Sequence, residues 1–151
     1  SRKGRCKARG TVRKMLEKEK KTILKKEKLL EFKERIVVSK LKLYSLLLDI
    51  KKREQRIYGI SAPSRASTLI NYAGLDDGIL HCIVEVSGSH KIGKYIPGTL
   101  IPIADESKLF EDQPDYALLF SWHIADELIP KLKQKGYKGK FIVPLPEPRI
   151  V

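Results

Sequence analysis

The sequence predicts an α/β fold, with an open parallel sheet of about five strands preceded by one or two long basic helices. Three observations favour it. Short apolar runs rich in β-branched residues alternate with helical patterns through residues 56–151. No proline or glycine interrupts the helical periodicity from Thr11 to Arg53. A turn of small residues then joins the first apolar run to a helical pattern, as in a βαβ unit.

The charge of the chain is unevenly distributed. Of its 31 basic and 18 acidic side chains, residues 1–55 hold 20 and 7, so this segment carries the whole net charge of +13. We therefore divide the chain into a basic arm with an N-terminal helical segment (1–55) and an α/β domain (56–151), which together form one structural unit. A nucleic-acid-binding module acting through the basic helix, residues 2–28, is the alternative function. Against it, Phe32 is the only aromatic residue before Tyr44.

The cysteines and apolar runs limit the cellular setting. Cys6 and Cys82 are isolated, so the sequence predicts no metal site and a reducing, cytoplasmic compartment. It shows neither a secretory signal nor an apolar run long enough to span a membrane, and we expect no membrane partner. Because the chain begins at Ser1 and its only methionine is Met15, we interpret it as a fragment of a longer protein.

The helical segment carries two apolar stripes, and residues 1–10 before it are predicted to form an extended or disordered arm. One helix, or two with a break near Leu29–Phe32, fits the pattern equally well. A helix that is apolar on two faces is covered on both. One face can lie on the sheet, and the other is covered by a partner domain, a second subunit or the first helix folding back. The first stripe contains Ile23, Leu30, Val37, Leu41, Tyr44 and Leu48, and the second Ile36, Leu43, Leu47 and Ile50.

The first βαβ unit begins with a strand over Arg56–Ile60 and a turn of small residues that includes Gly59. Ser64 or Ser67 is expected to cap the helix that follows, which ends at Gly74. Free amides and the helix dipole favour an anion at such a helix start. The dinucleotide fingerprint G-x-G-x-x-G is incomplete here, because Ser61 stands where its second glycine would be. A turn that binds nothing is the alternative.

The second strand is predicted over Ile79–Val86, with His81 as a core histidine. Glu85 near its end lies about 20 residues past the turn, where dinucleotide-binding folds hold a ribose hydroxyl. A merely solvated acid is the alternative. The polar loop Ser87–Gly98 contains Lys91 and follows the carboxyl end of this strand. Loops at that edge of a parallel sheet carry function more often than loops at the other edge.

The rest of the chain supplies three more strands, two helices and a rigid, proline-rich tail over residues 144–151. In the strand order 3-2-1-4-5, the switch point lies between the first and fourth strands, where ligands bind beyond the carboxyl ends. The segments Ser61–Arg65 and Ser121–His123 should meet there. The strands are expected at Leu100–Ile103, Tyr116–Trp122 and Lys140–Val143, and the helices at Asp105–Glu111, capped by Asp105, and His123–Lys135.

Three side chains at this point suit a phosphorylated or sugar ligand. Arg65 can pair with phosphate, Trp122 can stack on a base or sugar, and His123 can exchange protons or hydrogen bonds near neutral pH. Local roles at the two helix starts are the alternative. No nucleophile, base and acid of recognised spacing are present, so we assign no catalytic residue.

Four ordered runs carry a family resemblance. They read G-I-S-A-P-S-R-A-S-T-L-I-N-Y (59–72), K-I-G-K-Y-I-P-G-T-L-I-P-I (91–103), P-D-Y-A-L-L-F-S-W-H-I-A-D-E (114–127) and G-K-F-I-V-P-L-P (139–146). Together they resemble the C-terminal domain of SAM-dependent C-methyltransferases that act on nucleotide-linked sugars. The resemblance covers nearly the whole chain.

The resemblance implies a Rossmann-like domain that helps enclose the nucleotide-sugar and docks on a preceding methyltransferase domain of the same full-length chain. SAM, the catalytic base and a further zinc-binding domain would lie upstream, so this domain would hold no cofactor and would be inactive alone. The sequence departs from the family at Ser61 and Ala66, where glycines are usual, and at Arg65, where lysine is usual. Expected substrate contacts are Ser61, Ala62, Pro63, Ser64, Arg65, Trp122 and His123, with Glu85 and Lys91 at the ribose or sugar.

Overall fold

The computed structural model describes residues 10–22 and 25–151. Nearly all of the arm expected over residues 1–10 therefore lies outside the described residues. The chain divides into two compact units, the first ending at Val38 and the second running from Ser39 to Val151. The second unit thus takes in the end of the helical segment as well as the α/β domain.

Two helices, and not one, form the helical segment: α1 (Gly10–Lys21) and α2 (Lys26–Lys52). The break is earlier than Leu29–Phe32. At the end of α1, the Thr22 hydroxyl donates to the Lys18 carbonyl oxygen at 2.8 Å. The Thr22 amide donates to the same oxygen at 3.1 Å, so the hydroxyl adds to this last helical hydrogen bond and does not replace it.

In the first unit every described residue is exposed, including the large apolar side chains. The apolar stripes of α1 and of the early part of α2 are therefore uncovered within this unit. These exposed side chains are Val12, Met15, Leu16, Leu29, Leu30, Phe32, Ile36, Val37 and Val38.

The second unit contains a six-stranded sheet in the order β3-β2-β1-β4-β5-β6. The first five strands are parallel, which confirms the predicted fold class and strand order. The sixth is antiparallel to β5 and was not predicted. The strands are β1 (Ile57–Ile60), β2 (Cys82–Glu85), β3 (Ile103–Asp105), β4 (Tyr116–Leu119), β5 (Lys140–Val143) and β6 (Arg149–Ile150).

The proline-rich tail reverses direction instead of continuing outward. Backbone hydrogen bonds join Phe141 and Val151 in both directions, at 2.9 and 2.8 Å. The last amide and carbonyl groups of the tail are therefore hydrogen-bonded to the edge of β5. A strand of two residues is too short to show the alternating pattern by which strands are predicted from sequence.

Strand β2 is shorter than predicted because the chain turns over residues 76–80, where Leu80 donates its amide to the Asp76 carbonyl at 2.9 Å. Leu80 is still buried, so its apolar character reflects core packing outside the ladder. His81, just before β2, is exposed. The prediction of a core histidine is therefore wrong.

Helices cover both faces of the sheet in the second unit. On one face α3 (Ser64–Ala73) and the end of α2 bury Leu43, Leu47, Ile50, Ala66 and Ile70. On the other, α4 (Ser107–Asp112) and α5 (Ala125–Gln134) bury Leu109, Ala125, Ile129 and Leu132. Of the predicted second stripe, Leu43, Leu47 and Ile50 are thus core residues.

The ends of α3 are only partly as predicted. Pro63 occupies the N-cap position and no side chain caps the helix, so the expected cap by Ser64 or Ser67 is wrong. The ring of a proline at this position favours the extended backbone that precedes a helix, but proline has no hydroxyl to accept a hydrogen bond from the helix amides. The C-terminal end at Gly74 is confirmed, since Gly74 adopts φ 71°.

Gly98 provides a test of how the loop after β2 packs on α3. It adopts φ +81°, and a Cβ atom there would lie 2.5 Å from Oδ1 of Asn71. Asn71 itself donates its side-chain amide to the carbonyls of Ser67 and Pro97. We expect Gly98→Ala to lower the free energy of unfolding by about 1–3 kcal/mol in urea denaturation. Gly93→Ala is the matched control, because Gly93 shares φ +80° but has open space around it, so its loss should be smaller.

Candidate functional site

The candidate site lies where β1 and β4 run side by side and their connections leave in opposite directions. The segment Ser61–Arg65 follows β1, and Ser121–His123 follows β4. Both segments therefore leave the carboxyl edge of the sheet at the switch point, where α/β sheets bind ligands. We call this place the switch-point crevice.

Side chains from the two segments are in contact at the crevice. Nη1 of Arg65 lies 3.0 Å from Nδ1 of His123, and its guanidinium lies 5.7 Å from the centre of the Trp122 ring. Arg65 and His123 are exposed and Trp122 is half-buried, so a ligand can reach all three. The sequence-based expectation that these segments would meet agrees with this geometry.

The contact with Arg65 fixes the hydrogen-bonding role of His123. A guanidinium can only donate, so Nδ1 of His123 must accept. The proton of the neutral ring is then on Nε2, which leaves an N–H donor for a ligand. Arg65 retains further donors of its own. The two side chains therefore offer a ligand hydrogen-bond donors.

The start of α3 adds backbone donors. The first amides of any helix lack intrahelical acceptors, and here they belong to Ser64 and Arg65, since α3 begins at Ser64. The arrangement can bind an acceptor-rich group such as a phosphate.

The turn before α3 is strained. Ser61 adopts φ +67°, in the left-handed region that favours glycine. Glycine, which has no Cβ atom, would adopt this φ at a lower conformational energy than serine. Ser61 donates its amide to the Val84 carbonyl oxygen at 2.9 Å, which ties the turn to β2.

Glu85 and Lys91 contact this turn directly. Oε2 of Glu85 accepts the Ala62 amide at 2.9 Å, and Oε1 accepts the Val86 amide at 3.2 Å. Nζ of Lys91 donates to the Ala62 carbonyl oxygen at 2.8 Å and lies 3.5 Å from Oε2 of Glu85. The spacing of Glu85 in the sequence located it at the crevice edge, but gave no sign of these contacts.

The carboxylate of Asp105, at the end of β3, also accepts hydrogen bonds from the protein itself. Its Oδ1 accepts the Ser107 amide at 2.9 Å and the Ser87 hydroxyl at 3.0 Å. These hydrogen bonds, that of the Ser107 amide first, hold the pKa of the Asp105 carboxyl below its usual value. The carboxylate thus contacts the first residue of α4. Glu106 occupies the N-cap position and no side chain caps the helix, so the predicted start and cap at Asp105 are wrong.

A second polar cluster, which the sequence did not reveal, lies away from the crevice toward the amino ends of the strands. The Tyr58 hydroxyl donates to Oδ2 of Asp112, which also pairs with Lys108 at 2.9 Å. Burial, followed by this hydrogen bond, raises the pKa of Tyr58, and burial raises the pKa of the neighbouring Cys82 to about 11. The cluster keeps a buried tyrosine satisfied and leaves the thiol protonated at neutral pH.

Neither a metal cluster nor a membrane span is found in residues 10–22 and 25–151. No group of three or more His, Cys, Asp and Glu side chains there could hold a metal ion. No helix in this part of the chain is long and apolar enough to cross a bilayer.

Two comparisons with known proteins bear on this site. The profile of the C-methyltransferase C-terminal domain matches residues 1–146. The chain is also 35% identical over 96 residues to C-methyltransferase NovU of Streptomyces niveus, a match that covers 63% of this chain and 23% of NovU. The chain thus spans about a quarter of the length of this relative.

Proposed function

Because the chain belongs to the C-methyltransferase C-terminal domain family, we propose that it serves a SAM-dependent C-methyltransferase by binding its nucleotide-linked sugar substrate. The single observation that supports this proposal best is the convergence of Arg65, Trp122 and His123 beside the start of α3. Donors for a diphosphate and a ring for a base or sugar are the two kinds of contact that a nucleotide-sugar requires.

In this proposal each residue of the crevice has a part. The amides of Ser64 and Arg65 and the Arg65 guanidinium bind the diphosphate, with the small residues Ser61, Ala62 and Pro63 beneath it. The Nε2–H group of His123 donates to a sugar or phosphate oxygen, and the Trp122 ring packs on the base or sugar. None of these residues transfers a proton or a methyl group, so they bind and orient the substrate.

The contacts of Glu85 argue against SAM as the ligand of this crevice. A ribose-binding acid at the end of the second strand needs free carboxylate oxygens. Both oxygens of Glu85 accept backbone amides, and its side chain is 11% exposed. We therefore assign SAM and the methyl-transfer chemistry to a separate methyltransferase domain.

The outer face of α2 in the second unit supports docking on that domain. Leu41, Tyr44 and Leu48 are exposed there, and Tyr44 and Leu48 line an apolar groove with Gly78 and Ile79. Exposed apolar patches of this kind mark interfaces. Most of the length of NovU lies outside the matched region, which is why we propose a methyltransferase domain as the occupant.

Calorimetric titration of the chain tests the proposal. We expect saturable binding of a nucleoside diphosphate glucose, tested with the UDP and TDP forms, and no binding of SAM. Free glucose is the control and should not bind, because it lacks the diphosphate. SAM binding with no nucleotide-sugar binding would show that the crevice holds a cofactor and would contradict the proposal.

A further inference from the structure

We propose that Glu85 and Lys91 are positioning residues, which hold the turn before α3 in one conformation without touching the ligand. This inference takes from the proposed function only the identity of the ligand, a nucleotide-sugar. The sequence suggested instead that the two residues contact a ribose or sugar.

The two side chains hold both peptide groups that flank Ala62. Glu85 accepts the Ala62 amide at 2.9 Å, and Lys91 donates to the Ala62 carbonyl oxygen at 2.8 Å. Because Nζ of Lys91 also lies 3.5 Å from Oε2 of Glu85, the two side chains hold each other in place. We call this arrangement the Glu85–Lys91 clamp.

The turn needs such a clamp because Ser61 is strained. Its φ of +67° is unfavourable for a residue with a Cβ atom, and a free Ser61 would relax to negative φ. Holding the peptide groups of the next residue prevents this rotation. Strain of this kind persists only where surrounding contacts determine the conformation.

The contacts of the two charged groups separate this role from direct ligand contact. The Glu85 side chain is 11% exposed, and its Oε2 accepts the Ala62 amide. The Lys91 side chain is 37% exposed, but its Nζ is engaged by the Ala62 carbonyl oxygen. The clamp acts on Ala62, which directly precedes Pro63 and the first residues of α3. It therefore aims the amides of Ser64 and Arg65 and the Arg65 side chain at the crevice.

The clamp predicts that the effect of its loss depends on residue 61. We expect Glu85→Gln and Lys91→Met each to weaken binding of the nucleoside diphosphate glucose by about tenfold or more. In a chain that also carries Ser61→Gly, the same changes should weaken binding by less than about threefold, since glycine keeps the turn at positive φ unaided. Calorimetric titration measures both sets. Equal losses in the two backgrounds would indicate direct ligand contacts and overturn the proposal.

Lys94→Met is the matched control, because Lys94 is an exposed lysine of the same loop. It should leave affinity unchanged in both backgrounds. A loss equal to that of Lys91→Met would mean that loop charge, and not the clamp, determines affinity.

Urea denaturation of the same variants separates failure of the clamp from failure of the proposed function. Clamp loss should lower stability more in the Ser61→Gly chain, because the Ser61 chain regains part of the loss by releasing its strain. Additive losses would overturn the clamp. If the unchanged chain binds neither nucleoside diphosphate glucose, the proposed function fails, and this unfolding cycle alone decides whether the clamp exists.

Discussion

Phe120→Ala is expected to lower the free energy of unfolding by about 3–5 kcal/mol, the usual cost of removing a fully buried phenylalanine. Phe120 follows β4 directly and is 0% exposed. A Cβ atom at Gly59 would lie 2.7 Å from Cε2 of its ring. The absence of a side chain at Gly59 thus lets the ring lie directly on the central strand. Its removal leaves a cavity between β1 and the segment that carries Trp122.

Urea denaturation measures this loss, and Trp122, the only tryptophan of the chain, provides the fluorescence signal. Phe32→Ala is the matched control, since Phe32 is 58% exposed, and it should change stability by less than about 0.5 kcal/mol. A loss below about 1 kcal/mol for Phe120→Ala would contradict the packing of this ring on β1.

Arg65→Ala is expected to weaken nucleotide-sugar binding by roughly 10- to 150-fold, because a hydrogen bond to a charged group contributes about 1.5–3 kcal/mol. The side chain is exposed, so the free energy of unfolding should hardly change. Arg65→Lys should retain part of the affinity, since lysine keeps the charge but loses the fork of donors. Calorimetric titration and a thermal melt measure the two quantities.

Arg149→Ala is the matched control for charge, because Arg149 is an exposed arginine on β6, two strands from β4. It should leave affinity unchanged. If Arg65→Ala instead lowers the melting temperature and leaves affinity intact, Arg65 serves only the start of α3, and the site assignment is wrong.

Four of the five parallel strands left clear apolar runs in the sequence, whereas β3, predicted over Leu100–Ile103, lies at Ile103–Asp105 and is only partly buried. Lys140–Val143 is the clearest case, since its predicted bounds are those of β5. The run Ile79–Val86 shows why strand bounds are harder to predict. Leu80 is a buried loop residue, and apolar character alone does not distinguish it from a strand residue.

The site was predictable only as far as topology determines it. The switch point brings Arg65 and His123 to one edge, and chain order was enough to show it. The role of Glu85 was not predictable, because a carboxylate that accepts a backbone amide 23 residues away has the same sequence signature as one that binds a ribose. His81 was misread for a related reason, since its apolar neighbours gave no sign that β2 begins only at Cys82.

The short strand β6 has a consequence for aggregation. Without it, β5 would present the free backbone groups of an apolar strand, Phe141–Val143, as a template for strands of other molecules. β6 covers that edge with only two residues, both exposed, and one of them is Arg149. An exposed charged side chain such as Arg149 on an edge strand disfavours pairing with the strands of other molecules, so β6 replaces an apolar edge by a less adhesive one.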